Sequence, residues 1–186
     1  SLHDALPISS DLKPIPEIAQ NTAGFIPDFG MEDIKFEIIA GQEFATVNAS
    51  GHIIPTGNGV GEVKLRVWKS AMNNFNASDE VEVTVMIGKA TQSIIFPNIA
   101  SRIFEPNDTF ELSATASSGL PVTFEAITDN VSITGNTVTV LKGGQVQIRA
   151  TQAGNELYHP ATSVVRSFFI NKKAQTIVFD EMADKV

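Results

Sequence analysis

The chain has no cysteine, one tryptophan, one tyrosine and three histidines in 186 residues. Without cysteine there is no disulfide, no thiolate metal ligand and no cysteine nucleophile. That absence does not place the protein inside a cell, because disulfide-free domains are also common among secreted proteins. Cations are scarce as well: 13 Lys and Arg stand against 21 Asp and Glu, a net charge of −8. The sign is wrong for a nucleic-acid backbone and for an anionic membrane surface, and it serves solubility instead. No apolar run approaches the roughly 20 residues that span a bilayer. The first residues lack the basic start and apolar core of a signal peptide, which in a fragment says nothing about location. No segment holds an apolar 3.6-residue period for three turns, so no helix is expected.

What is present is globular material, with 42% hydrophobic and 18% charged residues, enough for one large domain or two ordinary ones. It is organised by a repeat. KATQSIIF runs from Lys89 to Phe96 and KKAQTIVF from Lys172 to Phe179, a spacing of 83 residues. The same spacing carries Gly61 onto Gly144, Arg66 onto Arg149 and Phe75 onto Tyr158. A period of this length exceeds that of helical solenoids and suits a whole small β-sandwich.

The second period shows its strands through two-residue alternation, which puts successive side chains on opposite faces. Phe110, Leu112, Ala114 and Ala116 share a face, as do Val122, Phe124 and Ala126, then Val138 and Val140, then Val146, Ile148 and Ala150. Short strands over 93–96 and 163–170 open and close the set. Turn residues at Ser117–Pro121, Asp129–Asn130, Gly135–Asn136 and Gly143–Gly144 separate them. The first period alternates clearly over 61–68 and 79–87, and less regularly over 34–38 and 44–47. The expected fold class is all-β, with tandem immunoglobulin-like sandwiches. The paired cysteines around a tryptophan that mark a true immunoglobulin domain are missing, so apolar burial alone must hold the cores.

These segments resemble the bacterial Ig-like repeats of large surface and secreted, adhesin-like proteins. The resemblance rests on the K-A-x-Q-x-I-x-F opening, on Leu112–Val122 (LSATASSGLPV), on the hairpin at Ile133–Val140 and on Ala150–Tyr158 (ATQAGNELY). It covers about 89–179. The first period is similar more loosely, in 44–61 and 75–96, and lacks the ASSGLPV segment. The resemblance implies an extracellular or cell-surface array acting as stalk, spacer or adhesive module, with neighbouring repeats as partners; the alternatives are a module that binds an extracellular glycan or protein, and an accessory domain of a secreted enzyme. It supplies no catalytic residue.

The expected organisation has four parts. Residues 1–8 (SLHDALPI) resemble a translated sequencing adapter and are set aside from the fold. Residues 9–88 form a repeat without its first strand, which would leave an exposed edge. Residues 89–171 form a complete repeat, and 172–186 open a third, with Ala183 and Val186 in the places of Ala100 and Ile103.

No residue set points to an enzyme, a cofactor or a metal. Gly57–Gly61 has the glycines of a phosphate loop but precedes an alternating strand instead of a helix, so a hairpin turn is expected. Phe75 and Tyr158 are expected to cap cores. Glu80 and Glu82 lie on an outer face, Glu105 and Asp108 lie close together, and Asp129 stands alone in a turn; none has the spacing of a calcium loop. His52 lacks a ligand-spaced neighbour, and His159 with Glu156 is a single pair in a loop. The sequons at Asn48, Asn76, Asn107 and Asn130 are those expected by chance. Trp68 is the one candidate surface contact. It falls on the polar side of its strand beside Lys64 and Arg66, where the second period has Thr151.

Overall fold

A computed structural model describes residues 13–20, 22–28, 34–71 and 77–179. The segment 1–8, Phe75, Asn76, Ala183 and Val186 lie outside these residues. The described residues contain strands and turns and no helix; in particular no helix is long and apolar enough to cross a membrane. The chain divides into two compact units, Ser1–Gln92 with Ala153–Pro160, and Ser93–Gln152 with Ala161–Val186.

The first unit contains β1 (Ile18–Ala19), β2 (Ile34–Ala40), β3 (Ala45–Val47), β4 (Ile53–Pro55), β5 (Gly61–Lys69) and β6 (Val81–Gly88). Its larger sheet has the order β1-β6-β5-β2, and β3 pairs with β4 in a smaller one. Val63, Leu65 and Val67 of β5 and Val85 and Ile87 of β6 turn inward and are buried with Ala45 and Ile53 from the smaller sheet. Their neighbours Glu62, Lys64, Glu82 and Thr84 face out, as period-two alternation requires.

The second unit contains β7 (Ile94–Ile95), β8 (Arg102–Ile103), β9 (Thr109–Glu111), β10 (Thr115–Ala116), β11 (Thr123–Ala126), β12 (Val131–Thr134), β13 (Thr137–Val140), β14 (Gly144–Thr151) and β15 (Val164–Asn171). One sheet has the order β11-β14-β15-β8. Facing it are β12-β13-β9 and the short pair β10-β7. Val146, Ile148, Ala150, Phe168 and Ile170 of the first sheet meet Ile94, Phe96, Leu112, Val131, Val138 and Val140 of the others in one core. This is the two-layer arrangement of a sandwich. Phe110 meets Phe168 edge to face at a centroid distance of 5.9 Å, and Phe96 tilts against Phe124 at 5.3 Å, favoured geometries for aromatic pairs.

The 83-residue period is realised most closely in two hairpins. In β5–β6, Gly61 pairs with Ile87, Val63 with Val85 and Leu65 with Val83. In β14–β15, Gly144 pairs with Ile170, Val146 with Phe168 and Ile148 with Arg166. Each partner is displaced by the same 83 positions.

Four features differ from the expectations above. The alternating segment 110–116 is split into β9 and β10: β9 pairs with β13, a register that the Leu112 amide continues by donating to Asn136 O at 2.8 Å, whereas β10 pairs with β7; Leu112 is still buried. The glycine-rich segment 57–61 is a turn but not a hairpin, since β4 pairs with β3 while β5 pairs with β2 and β6; it carries the chain from one sheet to the other. Both units also have a short strand that alternation does not reveal. β1 runs parallel to β6, with Ile18 opposite Ile87, and β8 runs parallel to β15, with Arg102 opposite Ile170.

The fourth feature concerns Lys89–Gln92, the start of the repeat expected over 89–171. The Ala90 amide donates to Leu157 O at 2.8 Å, and the His159 amide donates to Ala90 O at 2.9 Å. Lys89 Nζ donates to Asn155 O and the Gln92 side-chain amide to His159 O, at 2.8 and 2.7 Å. The holding loop is itself ordered by Asn155, whose side-chain oxygen accepts from the amides of Leu157 and Tyr158, both at 2.9 Å. This is the Asx turn that favours asparagine.

Candidate functional site

The outer face of the sheet β1-β6-β5-β2 carries the most organised polar surface of the first unit. Strand register sets its rows. Glu37 of β2 lies opposite Arg66 of β5, which lies opposite Glu82 of β6. Arg66 contacts Glu37 and Glu80, each at 3.4 Å. The next row outward places Lys35 of β2 opposite Trp68 of β5. Trp68 is partly exposed.

The same rows exist in the second unit with different residues. Arg149 lies opposite Glu125 and contacts it at 2.9 Å, which repeats the Arg66–Glu37 pair. In the outward row Thr151 replaces Trp68 and Thr123 replaces Lys35, and the two hydroxyls lie 2.8 Å apart. The charged row is thus common to both units, whereas the aromatic row belongs to the first alone. Exposed cross-strand ion pairs of this kind each contribute at most about 1 kcal/mol.

The remaining candidates resolve into structural roles. Gly59 and Gly61 lie under the Phe44 ring, where an added Cβ on Gly61 would overlap the ring. The buried Gln20 side chain donates to Gly59 O. The glycines therefore admit an aromatic ring and a buried amide to the turn. Tyr158 is partly buried and forms an isolated bridge with Ala90. Arg102 takes up Asp108 at 3.3 Å and Lys173 takes up Glu105 at 2.7 Å, so these two acids bind separate cations. Arg102 also lies 4.0 Å from the centroid of the Phe110 ring, within cation–π range. Asp129 and Lys142 are 2.6 Å apart, and the hydrogen bond and charge of Lys142 hold the Asp129 carboxyl below its ordinary value. His159 and Glu156 are exposed, while His52 is partly buried. Among the described residues no group of three or more His, Asp or Glu side chains is placed to hold a metal ion. A groove of about 770 Å³ lined by Phe104, Glu105, Gly143, Lys172 and Lys173 is crossed by the Glu105–Lys173 pair.

No protein-family model and no curated protein sequence matches the chain. Among solved structures it is similar to Drosophila N-cadherin EC1-4, with 12% identity, a TM-score of 0.37, and coverage of 87% of this chain and 50% of that one. It is similar to human mucin-like protocadherin EC1-2 at 12% identity and a TM-score of 0.37, covering 87% and 96%. A third likeness is to human CDH23 EC21-23, at 14% identity and a TM-score of 0.38, covering 87% and 67%. The chain therefore spans about half the length of the N-cadherin structure that it matches.

Proposed function

We propose that the chain is a stretch of tandem Ig-like repeats that serves as a non-enzymatic spacer or adhesive stalk in a bacterial surface or secreted protein. In this reading residues 9–88 and 89–171 are two repeats and 172–186 begin a third. The observation that carries it is the direction of the first and last strands. In the second unit Phe96 O accepts from Arg166 Nε at 2.8 Å, Ser101 Oγ from the Phe169 amide at 3.1 Å, and Asn171 O from the Phe104 amide at 2.8 Å. The opening and closing segments thus run side by side in the same direction, and the chain enters the sandwich at one end and leaves at the other. The first unit has the same parallel pairing, extended by a Gln20 amide bond to Gly88 O at 3.0 Å. A fold that passes the chain from end to end suits serial repetition.

Pulling the chain from its ends in a force spectrometer tests this reading. Two unfolding events are expected, each lengthening the chain by about 25–30 nm, as roughly 80 residues at about 3.6 Å each require. A single event releasing both units together would overturn it.

A second reading, glycan or protein binding, rests on Trp68 as an aromatic on a sheet face that also carries Lys35, Glu37, Arg66 and Glu82. A partner that stacks on the indole would be lost in Trp68→Ala on a glycan array. Unchanged binding in that variant would remove Trp68 from any contact.

A further inference from the structure

Three turn asparagines have committed side chains. Asn48 Oδ1 accepts from the amides of Ser50 and His52, both at 3.0 Å. Asn155 Oδ1 accepts from the amides of Leu157 and Tyr158, and Asn130 Nδ2 donates to Gly143 O. Asn58 differs. It is exposed and follows Gly57, which has φ +80° and where an added Cβ would meet no atom within 4 Å. Its own main-chain amide donates to Thr56 Oγ1 at 3.3 Å. Among the described residues no group pairs with its carboxamide or with the Gly59 amide. It is also the one asparagine in the sequence that glycine follows, whereas Ala49, Val131 and Glu156 follow the other three.

We propose that Asn58–Gly59 is a self-modification site, at which the Gly59 main-chain nitrogen attacks the Asn58 side-chain carbonyl carbon and turns the asparagine into isoaspartate. Glycine lacks the Cβ that would shield the attacking nitrogen, and adjacency in the chain makes the step intramolecular. The Gly59 amide gives its proton to solvent base. A carbon–nitrogen bond closes a succinimide ring, and the side-chain nitrogen leaves as ammonia with a proton taken from solvent. Water then opens the ring. Addition at the side-chain carbonyl gives aspartate, and addition at the main-chain carbonyl gives isoaspartate; no oxidant or reductant takes part. Both products carry a new carboxylate, and isoaspartate also adds a methylene to the main chain just before Gly59. The turn has no slack for that addition. The Thr56 amide donates to Phe44 O at 2.9 Å, Gly59 O accepts from the Gln20 side chain, and Gly59 lies against the Phe44 ring. Gln20 is buried, and its carboxamide oxygen has no partner among the described residues. A displaced Gly59 would leave that buried amide unpaired altogether, which is unfavourable. The first unit therefore loosens as the chain ages, while the second keeps its stability. The chemistry belongs to this turn and is independent of the spacer role above.

The test ages the full 186-residue chain, folded, in mildly alkaline buffer, which favours loss of the amide proton. Trypsin releases Phe36–Lys64, which holds both Asn48 and Asn58, and mass spectrometry with fragmentation locates isoaspartate between them. It is expected at 58 and not at 48. Urea titrations of the fresh and aged chain follow the first unit by the fluorescence of Trp68, the single tryptophan, and both units by far-ultraviolet dichroism. The first unit's midpoint is expected to fall with the isoaspartate content and the second unit's to stay. Asn58→Gln, an exposed substitution, is expected to abolish the modification and to keep the first unit's midpoint constant through ageing. Should that variant fail to fold, Asn58→Ser takes its place. If residue 58 is modified only in the urea-unfolded chain, the folded turn protects it and the proposal is wrong. Isoaspartate at 58 with both midpoints unchanged, or an equal fall in Asn58→Gln, would equally overturn it.

Discussion

The two units agree in their closing hairpins and diverge in their opening halves. β5–β6 and β14–β15 keep one register across 83 positions. Phe36 and Phe124, which lie opposite Val67 and Ala150, are 88 positions apart. Phe25 and Phe110, which lie opposite Ile53 and Val138, are 85 apart. The hairpin supplies the central strands of the larger sheet, and a one-residue slip there would turn every core side chain outward. The opening half makes fewer pairs and tolerates insertions in its turns. Phe25 forms only an isolated bridge with Ile53, where Phe110 belongs to a three-pair ladder with β13.

The sharpest way to break this comparison is to damage the shared hairpin in each unit separately. Leu65 and Ile148 occupy the same place in their sheets, and both are fully buried. Leu65→Ala and Ile148→Ala should each cost about 2–5 kcal/mol. In a urea titration each should shift only its own unit's transition. Joint loss of both transitions in one variant would mean that the units are not separate folding bodies.

A medium effect is expected at the glycines that open β5 and β14. Gly144 has φ +138°, and an added Cβ would lie 2.8 Å from Asn130 Nδ2, the group that donates to Gly143 O at 3.0 Å. Gly61 has no such angle but faces the Phe44 ring. Gly144→Ala combines backbone strain with a displaced hydrogen bond and should cost about 1–3 kcal/mol. Phe44→Ala should relieve Gly61→Ala and leave Gly144→Ala untouched, which a double-mutant cycle by denaturant melts would check. Equal behaviour at the two glycines would show that their shared position, not their different neighbours, decides.

The smallest effect belongs to an ion pair that the second unit has and that shifts a titration. Lys142→Ala should raise the Asp129 carboxyl toward the ordinary value of about 3.9, read by its NMR titration. Because the folded value is depressed, the pair's stabilisation is present above the unfolded value and lost as pH falls through the lower folded one. The variant's stability should therefore differ from the parent's above about pH 4 and converge with it in stronger acid.

The legible part of this fold was the part written in alternation. Val63, Leu65 and Val67, and their counterparts Val146, Ile148 and Ala150, announce both the strand and its inner face. The illegible strands are β1 and β8. Two residues cannot show a period, and their parallel pairing is set by the long strands beside them. The drift between the opening halves was partly visible in the missing ASSGLPV segment. The extra residues of the second unit fall in that stretch, where Gly119 turns at φ +76° just before β11. That Lys89–Gln92 is held could not be read from the sequence, because its partners lie near Asn155, 66 positions away from Lys89. Trp68 was placed on the outer face by alternation, and its row partner Lys35 could be assigned only from the cross-strand register.

The parallel edge pairing also fixes how a sandwich of this kind answers tension. With β8 and β15 running in the same direction, a pull on the two ends slides these strands past each other along their length. Their hydrogen bonds and the Arg166, Phe169 and Phe104 contacts alongside are then strained together. An antiparallel hairpin pulled from its two ends would open one bond at a time, like a zip, under far less force. The short, easily overlooked strands β1 and β8 thus act as shear fasteners, placed where the chain enters and leaves each sheet.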